Sequence, residues 1–331
     1  MRFHQSPATF TVEELPLFAP SGRGNHLYLT VRRSGMSTPF LLRELQRRLH
    51  LKEEDLGCAG MKDRDAVSVQ TLSLPRHAAP QAERVLRELG CEVLSAAQHP
   101  HKLRTGKLAG NRFSIRVELE GNHEKELLAE GCRRIEAGGL ANAFGPQRFA
   151  DGSAIEEGRR AFLGIRRPGA FRRSRFAVSV FQALLFNELL ALRRARGLWP
   201  GPLPGDLMKR HDSGGEFVAG EVDEPLRSRV AQLEISPTGP MFGGKMAHPE
   251  GEAWRLECGI LASHGLTPGS LAASRVPGAR RFLRVPAAPI AITLEGETAH
   301  LSFDLPPGSY ASVLLQELGV EVVRPERPGR R

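Results

Sequence analysis

Strand-like alternation of hydrophobic and polar residues occurs near both ends of this chain, on either side of a long basic segment with helical periodicity. The alternating segments are residues 26–33 and 67–74 near the start, and residues 290–294 and 298–304 near the end. Amphipathic helical patterns follow the early strands, at residues 39–49, 81–89 and 123–137. Strands interspersed with helices indicate an α/β or α+β sheet domain. The pattern therefore predicts one sheet domain built from two distant parts of the chain.

The middle of the chain has a different composition. Residues 154–196 have helical periodicity and are rich in arginine, and residues 197–252 are rich in Gly and Pro with short strand-like pieces. A helical pattern returns at residues 252–264, and strands resume after residue 284. We therefore predict an inserted domain of residues 153–285, and a sheet domain formed by residues 1–152 and 286–331.

The chain is basic, with 46 Lys and Arg residues against 37 Asp and Glu residues, a formal net charge of +9. A basic surface favours a polyanionic partner, because each neutralised phosphate releases counterions. Arginines cluster from Arg159 to Arg175, which predicts a surface that faces a nucleic acid. The alternative interpretation of that cluster is a solvated helix face.

Several classes of protein are not expected from this sequence. The four cysteines are scattered without a C-x-x-C pair, which fits a reducing cytoplasm and argues against a zinc site. No apolar run long enough for a membrane helix and no signal peptide are expected. The chain has neither a Walker loop nor a Rossmann fingerprint. We therefore predict a cytoplasmic protein, most simply a monomer, without membrane association, metal or cofactor.

The segment of residues 59–70 contains the clearest chemical signal. Asp63 lies between Lys62 and Arg64, directly after a glycine-containing turn and before a predicted strand. Nearby positive charge favours the ionised form of a carboxylate, which nucleophilic or general-base catalysis requires. On spacing alone, a charged surface turn explains the same residues.

This segment resembles the signature of the TruD family of tRNA pseudouridine synthases, G-x-K-D-[RK]-x-A-x-[TS]-x-Q. Seven further elements similar to those of the family occur in order, at residues 6–14, 22–26, 101–113, 142–149, 179–187, 236–243 and 305–312. The first departs from the family's P-E-D-F, because it reads Pro7-Ala8-Thr9-Phe10. The resemblance covers nearly the whole chain.

The resemblance implies an α+β fold, in which a mixed and mainly antiparallel sheet flanked by helices forms the catalytic domain. The inserted segment would be the family's second, α+β domain, which helps to grip the RNA. The implied activity is that of an isomerase, which converts uridine to pseudouridine in tRNA at position 13 of the D-arm. The catalytic residue of the family's motif matches Asp63, which would attack C1′ of the ribose or remove the C2′ proton. No cofactor is implied.

The same resemblance suggests the residues that contact the RNA. The uridine must leave the base stack to be reached, and an aromatic side chain can stack on it. Phe113 is the first candidate, because of its motif context, followed by Phe10 and Tyr310. Ordinary core packing is the alternative for each and is the more usual explanation of a Phe in a strand. Lys62 and Asn111 are predicted to bind the substrate. Asn111 would hydrogen-bond the base or order the catalytic loop, with a strand-entry turn as the alternative interpretation. Gln147 and Arg148 are predicted to lie near the RNA backbone, with a structural salt bridge as the alternative.

Two other functional classes fit the composition. A non-catalytic, basic tRNA-binding protein would use the charged surface alone, and Asp63 would then be dispensable. An Asp-dependent glycosidase would need a second carboxylate as a proton donor. Asp65 is the nearest, but it need not face the same sugar.

Overall fold

The computed structural model describes residues 1–150, 152–165, 171–274, 276–287 and 289–325, without the side chains of residues 171–174, 273 and 274. The chain divides into two compact units. The first unit is formed by Met1–Cys132, Ala287–Gly308 and Leu315–Arg331, and the second by Arg133–Pro286 and Ser309–Leu314. The first division therefore precedes the predicted boundary at residue 152. The functional boundaries of the two domains stay a prediction.

In the first unit, ten strands of the described residues form one sheet. The strands are β1 (Arg2–His4), β2 (Phe10–Pro16), β3 (His26–Ser34), β4 (Gly57–Cys58), β5 (Val67–Pro75), β6 (Glu92–His99), β7 (Leu108–Glu118), β14 (Ile290–Glu295), β15 (Thr298–Leu305) and β16 (Glu321–Val323). The main order is β14-β15-β7-β2-β5-β3-β6. Only the pairs β2–β5 and β1–β16 are parallel among these strands. The sheet is therefore mixed and mainly antiparallel, and both ends of the chain contribute to it.

Helices α1 (Thr38–Leu49) and α2 (Ala79–Glu88) cover part of this sheet. Ser37 caps α1 by accepting a hydrogen bond from the amide of Phe40. Leu41 and Leu45 face inward and pack with Leu29 of β3 and Leu72 of β5 in one buried cluster. The amphipathic pattern of residues 39–49 thus forms the helix that it predicted, because its apolar face has a sheet to bury against.

The second unit also mixes helices and strands. Its strands are β8 (Leu140–Ala141), β9 (Leu207–Arg210), β10 (Glu216–Val218), β11 (Ile235–Met241), β12 (Ala279–Phe282) and β13 (Arg284–Val285). Its helices are α4 (Ser153–Phe162), α5 (Phe171–Ala195), α6 (Glu224–Ala231), α7 (Gly251–Ser263) and α8 (Pro268–Ser274). The order β10-β9-β11-β12 makes a small antiparallel sheet. The chain passes from one unit to the other within helix α3 (Gly121–Gly138) and again within helix α9 (Ala311–Glu317).

Helix α5 is the longest helix among the described residues. Its segment Arg175–Ala195 is long and apolar enough to span a membrane by length and composition alone, which the sequence analysis did not anticipate. Phe181, Leu185 and Leu189 of this helix are buried in a cluster that includes Phe242 and Leu261. The helix therefore has a core partner within its own unit, which explains an apolar face without a membrane.

The predicted α+β class is confirmed, including the flanking helices and the mainly antiparallel sheet. Strand β2 was not predicted, although Phe10 and Val12 alternate inward along it. Its next inward position is the charged residue Glu14, which is buried. A carboxylate on the core face interrupts the apolar alternation by which a strand is recognised.

Candidate active site

The loop between β4 and β5 presents the predicted catalytic residue. Asp63 and Arg64 are exposed, whereas Lys62 directly before them is buried. Gly57 of β4, just before the loop, lies so close to the backbone of Leu103 that a Cβ atom on Gly57 would overlap the Leu103 carbonyl oxygen. A glycine is therefore required at this close approach. The chain is therefore tightly packed where the loop begins, and Asp63 within the loop is exposed.

The ammonium group of Lys62 has two partners inside the first unit. Its Nζ donates to Glu14 Oε2 at 3.0 Å and to Asn111 Oδ1 at 2.8 Å. Glu14 of β2 and Asn111 of β7 are directly opposite each other in the antiparallel register, so both reach the same point. Glu14 Oε1 also accepts a 3.3 Å hydrogen bond from the amide of Thr71. Lys62 thus lies in a buried ion pair, and sequence adjacency alone would have paired it with Asp63.

Asn111 was predicted either to order the loop or to bind the base. It contacts the loop, and both roles stay predictions. Its side-chain oxygen accepts from Lys62, the residue before Asp63. Contact of Asn111 with the base stays a prediction.

Phe10 and Phe113 lie in a row of aromatic rings within the first unit. Phe113 stacks between Phe10, at a centroid distance of 6.3 Å, and Phe303, at 5.5 Å. Phe3 contacts Phe10 edge-on at 5.6 Å. Both predicted stacking residues are buried. Their burial agrees with the core-packing interpretation, and stacking of either ring on a uracil stays a prediction.

The departure at Pro7-Ala8-Thr9-Phe10 leaves an ordered turn. The amides of Thr9 and Phe10 donate to Ser6 O at 3.1 and 2.9 Å. The Thr9 hydroxyl accepts from the Ser6 amide at 3.1 Å. A hydroxyl at this position therefore closes the turn by side-chain to backbone bonding, and β2 starts at Phe10.

The remaining predicted site residues lie in the second unit. Arg148 donates to Ser179 Oγ at 2.6 Å, and its guanidinium lies 5.4 Å from the ring centroid of Phe176. Gln147 Oε1 accepts from Ser312 Oγ at 3.2 Å. Tyr310 packs against Phe144 at 6.0 Å. These partners are all within the second unit, so the structure brings Gln147, Arg148 and Tyr310 into one neighbourhood.

Arg281 belongs to the same neighbourhood and was not singled out from the sequence. Its guanidinium lies 4.2 Å from the ring centroid of Phe144 and donates to Asn142 O and to Asn142 Oδ1 at 2.6 Å. Burial lowers the pKa of Arg281 to about 10. Asn142 also accepts from Ser309 Oγ at 3.0 Å. The N-x-F-G element at residues 142–145 was visible in the sequence, but nothing in it indicates that its partner is Arg281, far along the chain.

The arginine cluster is only partly described. Arg166 and Arg167 lie outside the described residues, as do the side chains of Arg172 and Arg173. Arg175 is exposed, and Arg159 bonds Glu156 of its own helix at 3.0 Å. The RNA-facing role of this cluster stays a prediction. Within the described ranges, no group of three or more His, Cys, Asp or Glu residues could hold a metal ion.

Comparison with known proteins agrees with the resemblance found in the motifs. The family model described as "tRNA pseudouridine synthase D (TruD)" matches residues 1–156 and 172–318. The protein of this name from Anaeromyxobacter sp. (strain Fw109-5) is 41% identical over 326 residues, covering 95% of this chain and 91% of its own length. One from Thermus thermophilus is 40% identical over 314 residues, covering 94% of this chain and 86% of its own length.

A solved structure shares the fold. It is the crystal structure of the protein described as a putative tRNA pseudouridine synthase D from Methanosarcina mazei, with a TM-score of 0.71 and 20% identity. The match covers 97% of this chain and 94% of that one. The family model and the curated relatives extend over most of the sequence, well beyond the catalytic loop. This chain belongs to the TruD family of tRNA pseudouridine synthases.

Proposed function

We propose that this enzyme converts uridine to pseudouridine at position 13 of the tRNA D-arm, with Asp63 as its catalytic carboxylate and without a cofactor. The observation that carries the proposal is the exposed Asp63, which follows a buried lysine whose ammonium is fixed by Glu14 and Asn111. An exposed carboxylate on an anchored loop can approach a substrate with little loss of conformational freedom on binding.

The reaction is an isomerisation and needs one well-placed carboxylate. The N1–C1′ bond breaks, the uracil turns, and a C5–C1′ bond forms while the C5 proton is lost and N1 gains a proton. Asp63 either attacks C1′ to form a transient ester or removes the C2′ proton, and these two alternatives stay open. Neither has a net redox change or needs a phosphoryl donor, which supports a reaction without cofactor.

Other residues would position the RNA. The uridine must be flipped out at a cost of a few kcal/mol, and stacking on Phe113, Phe10 or Tyr310 would recover roughly 1–3 kcal/mol. Arg148 supports backbone binding, because it is an arginine whose side chain is partly exposed in the second unit. A phosphate oxygen is the acceptor that a guanidinium binds best. We propose that Gln147 assists it, and that the enzyme acts as a cytoplasmic monomer without membrane association.

The decisive experiment uses Asp63→Asn, which keeps the side-chain shape and removes its charge. Pseudouridine is mapped in a tRNA transcript with uridine at position 13 and in a matched transcript with cytidine there, both assayed in EDTA. We expect the variant to lose at least a few thousandfold in rate, roughly 4–5 kcal/mol of transition-state stabilisation, while tRNA binding changes little.

Asp65→Asn is the matched control, because it makes the same substitution at an aspartate only two residues away. It should retain substantial activity. A folded Asp63→Asn protein with near-normal activity would refute the catalytic assignment. A wild-type protein that binds tRNA without forming pseudouridine would favour the alternative of a non-catalytic, basic tRNA-binding protein. Pseudouridine at a different position would refute the choice of position 13 alone. Activity that is lost in EDTA while the tRNA stays folded, and that returns with zinc or magnesium, would refute the absence of a metal.

A further inference from the structure

Three buried polar side chains lie behind the loop that carries Asp63. They come from three separate elements, namely Arg33 on β3, Thr38 at the start of α1 and Gln70 on β5. Their exposed fractions are 2%, 0% and 0%, respectively. Polar groups without access to water are costly unless each one is hydrogen-bonded. Their presence in the core therefore calls for a set of mutual bonds.

The hydroxyl group of Thr38 is the centre of that set. It donates to Gln70 Oε1 at 2.9 Å and accepts from Arg33 Nη2 at 2.7 Å. Its remaining lone pair accepts from the backbone amide of Lys62 at 2.8 Å. A hydroxyl has one proton and two acceptor sites, so its capacity is filled. Gln70 Oε1 is filled as well, because it also accepts from Arg33 Nη1 at 3.1 Å.

The cluster holds the loop at more than one point. The carbonyl of Lys62 accepts from the backbone amide of Thr38 at 3.4 Å, so Thr38 bonds both polar backbone groups of Lys62. Gln70 Nε2 donates to the carbonyl oxygen of Gly60 at 2.5 Å. Asp63 therefore follows directly on a residue whose backbone is held on both sides.

We infer that Thr38, supported by Gln70 and Arg33, is a positioning residue that sets the backbone of Lys62 and thereby the direction of the Asp63 carboxylate. The inference rests on the proposed function, in which Asp63 reacts at the ribose. Saturated bonding makes the cluster rigid, since no member can turn without leaving a buried group unpaired. Rigidity is needed because a misplacement of about 1 Å at a reacting group can cost about a hundredfold in rate.

The test is Thr38→Val, which keeps the side-chain shape and removes the hydroxyl. We expect the single-turnover rate at saturating enzyme to fall about a hundredfold, while tRNA affinity changes less than about threefold. Amide hydrogen exchange at Lys62 should become faster, because its hydrogen-bond acceptor is lost. Thr38→Ser restores the hydroxyl and should restore both the rate and the exchange protection. A purely structural role would not give this pattern of rate loss and rescue at unchanged affinity.

Gln70→Glu tests the second point at which the cluster holds the loop, the bond to Gly60. The new carboxylate can still accept from Arg33 and Thr38, and its charge pairs with the guanidinium, but it cannot donate to Gly60. We expect its rate to fall at least tenfold, because a carboxylate oxygen now faces the Gly60 carbonyl oxygen, while the ion pair with Arg33 offsets part of the lost stability. This variant also keeps the inference testable if Thr38→Val does not fold. Thr30→Val is the control, because it removes a hydroxyl on the same two strands that pairs with Thr71 Oγ1 at 3.3 Å and not with the loop backbone.

The outcomes separate this inference from the proposed function. Asp63→Asn is measured in the same assay, and its activity alone decides the catalytic role of Asp63. If Asp63→Asn is inactive while folded Thr38→Val and Gln70→Glu keep the wild-type rate, only the positioning role is refuted. Equal losses in Thr38→Val and Thr38→Ser, or a comparable loss in Thr30→Val, would also refute it.

Discussion

Separating Glu14 from Lys62 should destabilise the first unit far more than separating an exposed ion pair of the same sheet. Both side chains are only 4% exposed, and the Nζ–Oε2 distance is 3.0 Å. Removing one member of a buried pair typically costs about 3–5 kcal/mol, because the other charge stays buried without its counterion. Asn111 still accepts from Lys62, so Glu14→Gln should fall near the lower end, at about 3 kcal/mol.

A double-mutant cycle measures how much of that cost is the unpaired charge. Lys62→Met should also cost about 3 kcal/mol, because it leaves the Glu14 carboxylate buried. The double variant leaves no buried charge, and the new glutamine can donate to Asn111. The double variant should therefore lose less free energy of unfolding than the two single variants added together, by about 2–3 kcal/mol.

The assay must report on the first unit. Trp199 and Trp254 both belong to the second unit, so tryptophan fluorescence would follow the other half of the chain. Amide exchange of β2 and β7, measured as a function of urea concentration, reports on the unit that contains the pair, whereas far-ultraviolet circular dichroism sums over both units.

An exposed pair supplies the control. Arg32 and Glu92 are 2.8 Å apart on β3 and β6, with side chains 50% and 59% exposed. Glu92→Gln should change stability by less than about 1 kcal/mol. Equal effects of Glu14→Gln and Glu92→Gln, or additive losses in the double variant, would refute the reasoning from burial.

Two further predictions concern the second unit. Burial lowers the pKa of His211 below its usual value of 6.5, so the folded state takes up its proton later than the unfolded state as the pH falls. Wild-type stability should therefore decrease relative to His211→Gln as the pH drops below about 6.5, and equal pH dependence of their urea midpoints would contradict this. Arg281→Lys should cost about 2–3 kcal/mol in urea unfolding, because an ammonium cannot both lie flat on Phe144 and bond Asn142 twice; a loss below about 1 kcal/mol would assign little energy to these contacts.

Periodicity predicted elements in which several apolar side chains recur at the spacing of a strand or a helix. Strand β5 and helix α1 occur where alternation and the Ser37 cap indicated them. Strand β2 was missed because Glu14 occupies an inward position, where only its ion pair with Lys62 makes burial tolerable. A local pattern cannot show that a charged residue has a buried partner 48 positions away.

The sequence by itself determined the features that lie within a few contiguous residues. The loop around Asp63 and the family signature lie within one short segment, so their identification needed no knowledge of the fold. Tertiary structure alone decided which groups hold that loop. Thr38 and Asn111 are separated from Lys62 by 24 and 49 positions, respectively. Strand order and register bring them to the same residue. A hydrogen bond depends on a donor–acceptor distance of about 3 Å and not on the separation of the two residues along the chain, so the sequence alone does not show it.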